Sequence, residues 1–328
     1  MGQTPVFYTG TMNTTKEAAA AAKPSKVHAI VTEKIIDLIQ SEGKLPWQQE
    51  WSKTPLVGEW SPRNFRTGHV YGGGNRWLLS VLPYECPYYL PKSDIKRLGA
   101  TIKEGERGHM ILKRRSKVMV DINGEYTNDP KKCDRWWLRG KPSYALVWNL
   151  EQLDGIEIPE RPMPEALPEV ELVAEAEAVV DGYVNPPSIQ LGGDKANYTP
   201  QTDVVKNPHP ADFNSVPAYY GTLFHELAHS TGHVDRLARE GVVNFDRFGS
   251  DRYSFEELVA EMTAAMLSSL TGCWTDKVQT NNAAYLQGWC ETFKGDPSMI
   301  ISAASQAQSA AEHILGGPID EWQAPSAS

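Results

Sequence analysis

His225–His233 reads HELAHSTGH, which sets two imidazoles and a carboxylate at the spacing of a hydrolytic metal site. On a helix His225 and His229 are four residues apart, so both rings lie on one face and reach one cation. Glu226, next to the first ring, is placed to take a proton from water that a cation has made acidic. Leu223, Phe224, Leu227 and Ala228 give the helix an apolar side, as a buried ligand helix requires. Chance would produce this spacing in only about one or two random chains in a hundred of this length and composition. Three of the eight histidines lie within these nine residues, which favours the metal reading further.

A catalytic zinc site takes three protein ligands and keeps a fourth position open. Two sources of the third ligand are present. In FEELVAEMTAAML, Phe255 to Leu267, the residues Leu258, Met262, Ala265 and Met266 recur at helical spacing, with Glu257 and Glu261 together on another face. In the gluzincin arrangement Glu257 would be the ligand and Glu261 the acid that orients a ligand histidine. The second source is Asp235, since HELAHSTGHVD also fits HExxHxxGxxD, with Gly232 turning the chain. His233 fits a cap at the helix C-terminus. Tyr219 and Tyr220, ahead of the helix, serve either an oxyanion or packing, and Asp203 to Lys206 reads as an edge strand for an extended peptide.

The 328 residues suffice for two domains, and the net charge of −9 divides unevenly. Residues 1–150 carry 23 Lys and Arg against 14 Asp and Glu, or +9, which leaves −18 for residues 151–328. The basic half is where a polyanion partner is expected. Cys86, Cys133, Cys273 and Cys290 are scattered without CxxC spacing, which fits a reduced, cytoplasmic chain. No run approaches a membrane span, and MGQTPVFYTG does not read as a secretion signal.

Residues 1–24 read as a flexible tail containing the alanine run Ala18 to Ala22. Val27 to Ile39 has helical apolar spacing and opens a mixed α/β region, taken as a domain over 25–155. A Pro/Glu linker is expected over 156–168, where PERPMPEALP excludes a regular helix. The second domain, 169–328, then opens with a helix over Glu169 to Val180. Strands follow near Ser188 to Leu191 and Asp203 to Lys206, then the ligand helix, and helices near Ala283 to Phe293 and Met299 to Leu315.

Seven of the ten tryptophans, Trp47, Trp51, Trp60, Trp77, Trp136, Trp137 and Trp148, fall in the basic half. Aromatics interleaved with cations suit single-stranded nucleic acid, since unpaired bases stack on rings while Lys and Arg follow the phosphates. The candidates are Lys113, Arg114, Arg115 and Lys117, then Lys132, Arg135, Trp136, Trp137 and Arg139, and, around PRNFRTGHVYGGGNRW, Arg63, Arg66 and Trp77. Gly72 to Gly74 could bring backbone N–H groups to a phosphate, although a glycine triplet is also an ordinary turn.

Pro46 and Trp47, PRNFRTGHVYGGGN, GERGH at Gly105 to His109 and YALVWNLEQ at Tyr144 to Gln152 resemble the N-terminal domain of the ArdC antirestriction family, which has relatives in TraC-type plasmid primases. AYYGTLFHELAHSTGH, FEELVAEMTAAML, AAYLQGW and the terminal AASQAQSAAEHIL resemble the zincin-like domain that follows it in that family. The resemblance covers about residues 25–318 and departs at GGGN, Gly72 to Asn75, where the family leads one to expect a bulkier residue than Gly74 before the Asn. It implies an α+β chain of two domains, one mixed α/β and binding single-stranded DNA, the other a gluzincin-type metallopeptidase fold. It also implies protection of incoming conjugative DNA from host restriction. Zn2+, or Mn2+ or another divalent ion, would be held by His225, His229 and Glu257, with Glu226 catalytic. The competing classes are an active metalloprotease that cleaves a host protein and uses DNA only for targeting, and a decoy that binds a restriction enzyme.

Overall fold

The computed structural model describes residues 26–43, 45, 56–58, 60–113, 117–128, 132–133, 135–138, 143–160, 169–243, 251–273 and 283–323. The expected tail over 1–24, Trp47, Trp51, Arg114, Arg115, Arg139 and the core of the Pro/Glu linker lie outside the described residues. Helix α1 (Lys26–Glu42) buries Val31, Ile35, Ile36 and Ile39, the stripe that its sequence spacing predicts. Beyond it come β1 (Arg63–Asn64), α2 (Gly74–Ser80), β2 (Tyr88–Pro91), α3 (Lys92–Arg97) and β3 (Thr101–Ile102). The basic half continues with β4 (His109–Leu112), β5 (Lys117–Val120), β6 (Tyr126–Thr127), β7 (Arg135–Leu138), β8 (Tyr144–Asn149) and β9 (Leu153–Asp154). Its main sheet has the order β1-β2-β8-β4, with β8 antiparallel to both neighbours. A smaller sheet, β6-β5-β7, starts from a tight turn. There Asp121 Oδ1 accepts the N–H groups of Asn123 and Glu125 at 2.9 and 3.0 Å, and Gly124 takes φ 81°.

The acidic half consists of α4 (Glu169–Asp181), β10 (Ser188–Leu191), β11 (Asn197–Thr199), β12 (Val204–Asn207), α5 (Val216–Ser230), α6 (Glu240–Val243), α7 (Asp251–Thr271), α8 (Ala283–Gly295) and α9 (Met299–Leu315). Ser215 caps α5 by accepting the Ala218 N–H at 3.3 Å, and Pro217 sits in the first turn, where no intrahelical donor is needed. Helix α7 packs against both α5 and α9. It is buried over most of its girth, and the fully buried Ala303, Ala304, Ala307 and Ala311 let α9 approach closely. At that contact Thr263 Oγ1 donates to Val259 O at 2.7 Å and lies 3.3 Å from Ala307 O.

The Asp203–Lys206 stretch, expected as an edge for an extended peptide, is not one. β12 is the central strand of the order β10-β12-β11, parallel to β10 and antiparallel to β11. Fully buried Val205 accounts for the inner position, because a strand covered by core on one face and paired on both sides has no edge left.

The cores of the two halves are continuous. The stripe of α1 shares one buried cluster with Trp289 and Phe293 of α8 and with the α5, α7 and α9 core, and Thr32 Oγ1 donates to Pro297 O at 2.8 Å. Helix α2 packs on α9. Its Arg76, fully buried, donates from Nη2 to both carboxylate oxygens of Asp320 at 2.9 and 2.7 Å and from Nη1 to Leu56 O at 2.6 Å. The helix pair at the C-terminus thus completes the interior of the N-terminal half.

Candidate metal centre

Helices α5 and α7 set the site. His225 and His229 lie one turn apart on α5, and Glu257 faces them from α7. Their nearest ligand atoms all lie within 4.8 Å of one another. His225 Nε2 and His229 Nε2 are 3.2 Å apart; Glu257 Oε2 is 3.6 Å from the first, and Oε1 is 3.4 Å from the second. All three side chains are partly exposed, so a cation and a substrate could reach them from solvent. Glu226 is buried one residue beyond His225. Two imidazole nitrogens and a carboxylate oxygen form the donor set of His2Glu metallohydrolases, and they suit zinc and other divalent first-row ions.

A second layer holds the first. His229 Nδ1 lies 3.3 Å from Glu256 Oε1, and the guanidinium of Arg239 donates to both oxygens of that carboxylate at 2.9 and 2.6 Å. Burial opposes charge on the His229 ring, but hydrogen bonds and attraction from Glu256 and Glu257 outweigh it and raise its pKa to about 10. Burial likewise opposes charge on Glu257, and its two histidine neighbours overcome it and hold the carboxyl far below the usual range. Glu256 is also lowered against its burial, through Arg239 and His229.

The carboxylate against His229 Nδ1 is Glu256, a residue the sequence did not single out beside Glu261. Asp235, the alternative ligand, is not in the group. Its side chain is 76% exposed in the turn after α5, 3.6 Å from His233 Nδ1. Gly232 has no positive φ; its role is close packing, since a Cβ there would lie 2.5 Å from Val242 Cγ2. Tyr220 donates to Glu177, and Tyr219 packs edge-on against Phe213, so both tyrosines have packing partners. Sequence reasoning missed Arg239 and Glu256 altogether. The one available signal was an acid directly before the candidate ligand.

The nucleic-acid candidates scatter. Trp77 is 2% exposed in the core, which rules out base stacking by its ring; it lies on the buried face of the short helix α2. Arg63 spends its guanidinium on Gly58 O at 2.7 Å and Ser61 O at 3.2 Å. Arg66 pairs with Asp94 at 2.9 Å while staying 40% exposed. Lys113 and Lys132 are exposed. Strands β5 and β7 place the backbones of Lys117, Arg135, Trp136 and Trp137 in one small sheet, with Trp136 opposite Met119 and Trp137 opposite Val118. The glycine triplet does not present a free cradle. Gly73, at φ 55°, donates its N–H to Gln308 Oε1 at 2.6 Å, and a Cβ at Gly74 would meet Ile301 at 3.4 Å, so the triplet brings α2 close to α9.

Two stretches of the chain match known families. Residues 174–306 match the zincin-like metallopeptidase family, and residues 25–139 match the N-terminal domain of anti-restriction factor ArdC. A DNA primase TraC of Escherichia coli is 31% identical over 301 residues; the match takes in 88% of this chain but only 27% of that primase. The uncharacterized protein y4eC of Sinorhizobium fredii (strain NBRC 101917 / NGR234) is 30% identical over 300 residues, covering 88% of this chain and 91% of that protein. Among solved structures, the Mn(II)-bound antirestriction ArdC protein from R388 plasmid superposes with a TM-score of 0.63 at 29% identity, over 89% of this chain and 98% of that one. Among the described residues no helix is long and apolar enough to cross a membrane.

Proposed function

The chain belongs to the ArdC antirestriction family, and from that premise we propose that it protects incoming single-stranded DNA from host restriction with a DNA-binding N-terminal half and a divalent-metal peptidase site. The observation that carries the metal part is the convergence of His225, His229 and Glu257 within 4.8 Å. The Mn(II)-bound state of the similar ArdC structure supports the same reading. Zinc is the proposed resident ion and manganese the alternative.

When bound, a divalent cation there supplies Lewis acidity, which polarises a carbonyl and strengthens water as a nucleophile. The protein's own groups do the rest. The imidazoles of His225 and His229 would hold the ion, and Glu257 would contribute negative charge that offsets it. Glu226 takes the proton from the attacking water and delivers it to the leaving amine. Glu256 accepts from His229 Nδ1–H, so that the ring offers Nε2 to the ion.

For DNA, the +9 balance of residues 1–150 and the exposure of Arg66, Lys113 and Lys132 support non-specific contact with phosphates. Lys117, Arg135, Trp136 and Trp137, whose backbones share one small sheet, are proposed as further contacts. The decisive experiment compares wild type with Glu226→Ala, checked for fold and metal content, for transfer of unmodified single-stranded plasmid DNA into a restricting host. Loss of protection in the variant supports peptidase chemistry as the working activity. Full protection by a metal-loaded Glu226→Ala protein would leave the cation a structural task.

A further inference from the structure

Arg239 stands outside every motif in the sequence and is 7% exposed, yet its guanidinium spans three separate parts of the metal centre. Nε and Nη2 donate to the two oxygens of Glu256 on α7 at 2.9 and 2.6 Å. Nη2 also donates to Ala228 O at 2.8 Å, and Nη1 donates to Thr231 Oγ1, both at the C-terminal end of α5. The side chain arrives from the turn between α5 and α6, whose path depends on the close contact of Gly232 with Val242. Arg239 N donates to Gly232 O at 3.0 Å, which closes that turn on itself.

A carboxylate gripped through both oxygens by a guanidinium keeps its charge and one orientation. Glu256 is then a fixed acceptor, and the group it faces, His229 Nδ1, is held as a donor. That leaves Nε2 of the same ring as the atom directed at His225 and Glu257. The Ala228 and Thr231 contacts add a second fixed point, so the α5 end that carries His229 and the α7 start that carries Glu256 and Glu257 cannot slide independently.

We propose that Arg239 is a positioning residue for metal binding, acting through Glu256 to fix the ring orientation and the ligating nitrogen of His229. The proposal rests on the metal reading given above for its purpose, but not for its geometry. No charge-conserving exchange reproduces it, because a lysine offers a point charge in place of a fork that reaches Glu256, Ala228 and Thr231 at once.

The test is a double-mutant cycle in the full chain, with Arg239→Met, Glu256→Gln and the combined variant titrated with Zn(II) and Mn(II), alongside thermal melts. Each single change is expected to weaken binding by about 10- to 100-fold, as for other outer-layer groups. The combined variant should be no weaker than the worse single one, and Arg239→Lys should recover only part of the loss. A purely structural Arg239 would instead give additive losses in the cycle, and that result overturns the proposal. Wild-type protein, free of metal, supplies a second readout that needs no foldable variant. The His229 Nδ1–H proton should appear as a low-field NMR signal slow to exchange with water. Its absence also overturns the proposal. If wild type binds neither ion, the metal reading fails, and this signal still decides whether the clamp exists.

Discussion

Asp320→Ala should destabilise the whole chain, because it strands the buried Arg76 that joins the N-terminal half to the C-terminal segment. Arg76 is fully buried and Asp320 is 30% exposed. Without the carboxylate, the guanidinium keeps Leu56 O as its acceptor, and among the described residues its Nε has no hydrogen-bond partner to fall back on. Breaking a buried pair by removing one partner costs about 3–5 kcal/mol. The partial exposure of Asp320 admits some water, so about 2–3 kcal/mol is expected. At about 2.1 cal/mol/K of unfolding entropy per residue, a chain of 328 residues loses about 1.5 °C of Tm per kcal/mol, so the midpoint should fall by roughly 3–4 °C. The assay is calorimetry on wild type, Asp320→Ala and the pair Arg76→Met with Asp320→Leu. The apolar pair should recover most of the loss, since a buried ion pair is often no better than well-packed apolar side chains. One cooperative transition should move as a unit. A loss below about 0.5 kcal/mol, within the range of ordinary surface substitutions, would refute the argument. So would two transitions of which one stays fixed, since the halves would then not share a continuous core.

Gly232→Ala, which places a Cβ 2.5 Å from Val242 Cγ2 and 3.1 Å from Arg239 Nη2, should cost about 1–3 kcal/mol in thermal unfolding and weaken metal binding through the displaced guanidinium. Metal affinity should rise with pH. With the His229 pKa raised to about 10, the ring carries a proton that the ion must displace, so Kd measured by titration should fall about tenfold per unit between pH 7 and 9. A flat profile there would mean that His229 is already unprotonated. Lys113→Ala with Lys132→Ala should reduce the slope of log Kd for single-stranded DNA against log salt by about 0.7 for each phosphate that is no longer neutralised, read by fluorescence anisotropy. Trp77→Phe should leave that affinity unchanged while lowering the melting midpoint, because the ring lies in the core.

Much of the site was legible because its geometry is local. Helical periodicity alone puts His225 and His229 on one face, and the apolar spacing of 255–267 predicts the second buried helix with Glu257 on it. Glu256 could not be singled out from periodicity. Which flank of α7 meets His229 depends on how α5 and α7 pack and on Arg239, seventeen residues before Glu256 in the chain. The inner position of β12 was hidden for a similar reason, since strand order is a long-range property that a four-residue pattern does not contain. GGGN and Trp77 read as ligand-binding features because both are also what close helix packing selects. For GGGN, Gln308 and Ile301, more than two hundred residues away, decide between these readings.

The central claim is that His225, His229 and Glu257 together hold one divalent cation. The direct measurement is calorimetric titration of metal-stripped full-length protein with Zn(II) and Mn(II), comparing wild type with His229→Ala and Glu257→Ala at matched fold content. The account predicts one ion per wild-type chain and, in each variant, a loss beyond the roughly 100-fold that an outer-layer residue produces. Wild-type affinity retained by Glu257→Ala would contradict it, placing the third ligand elsewhere.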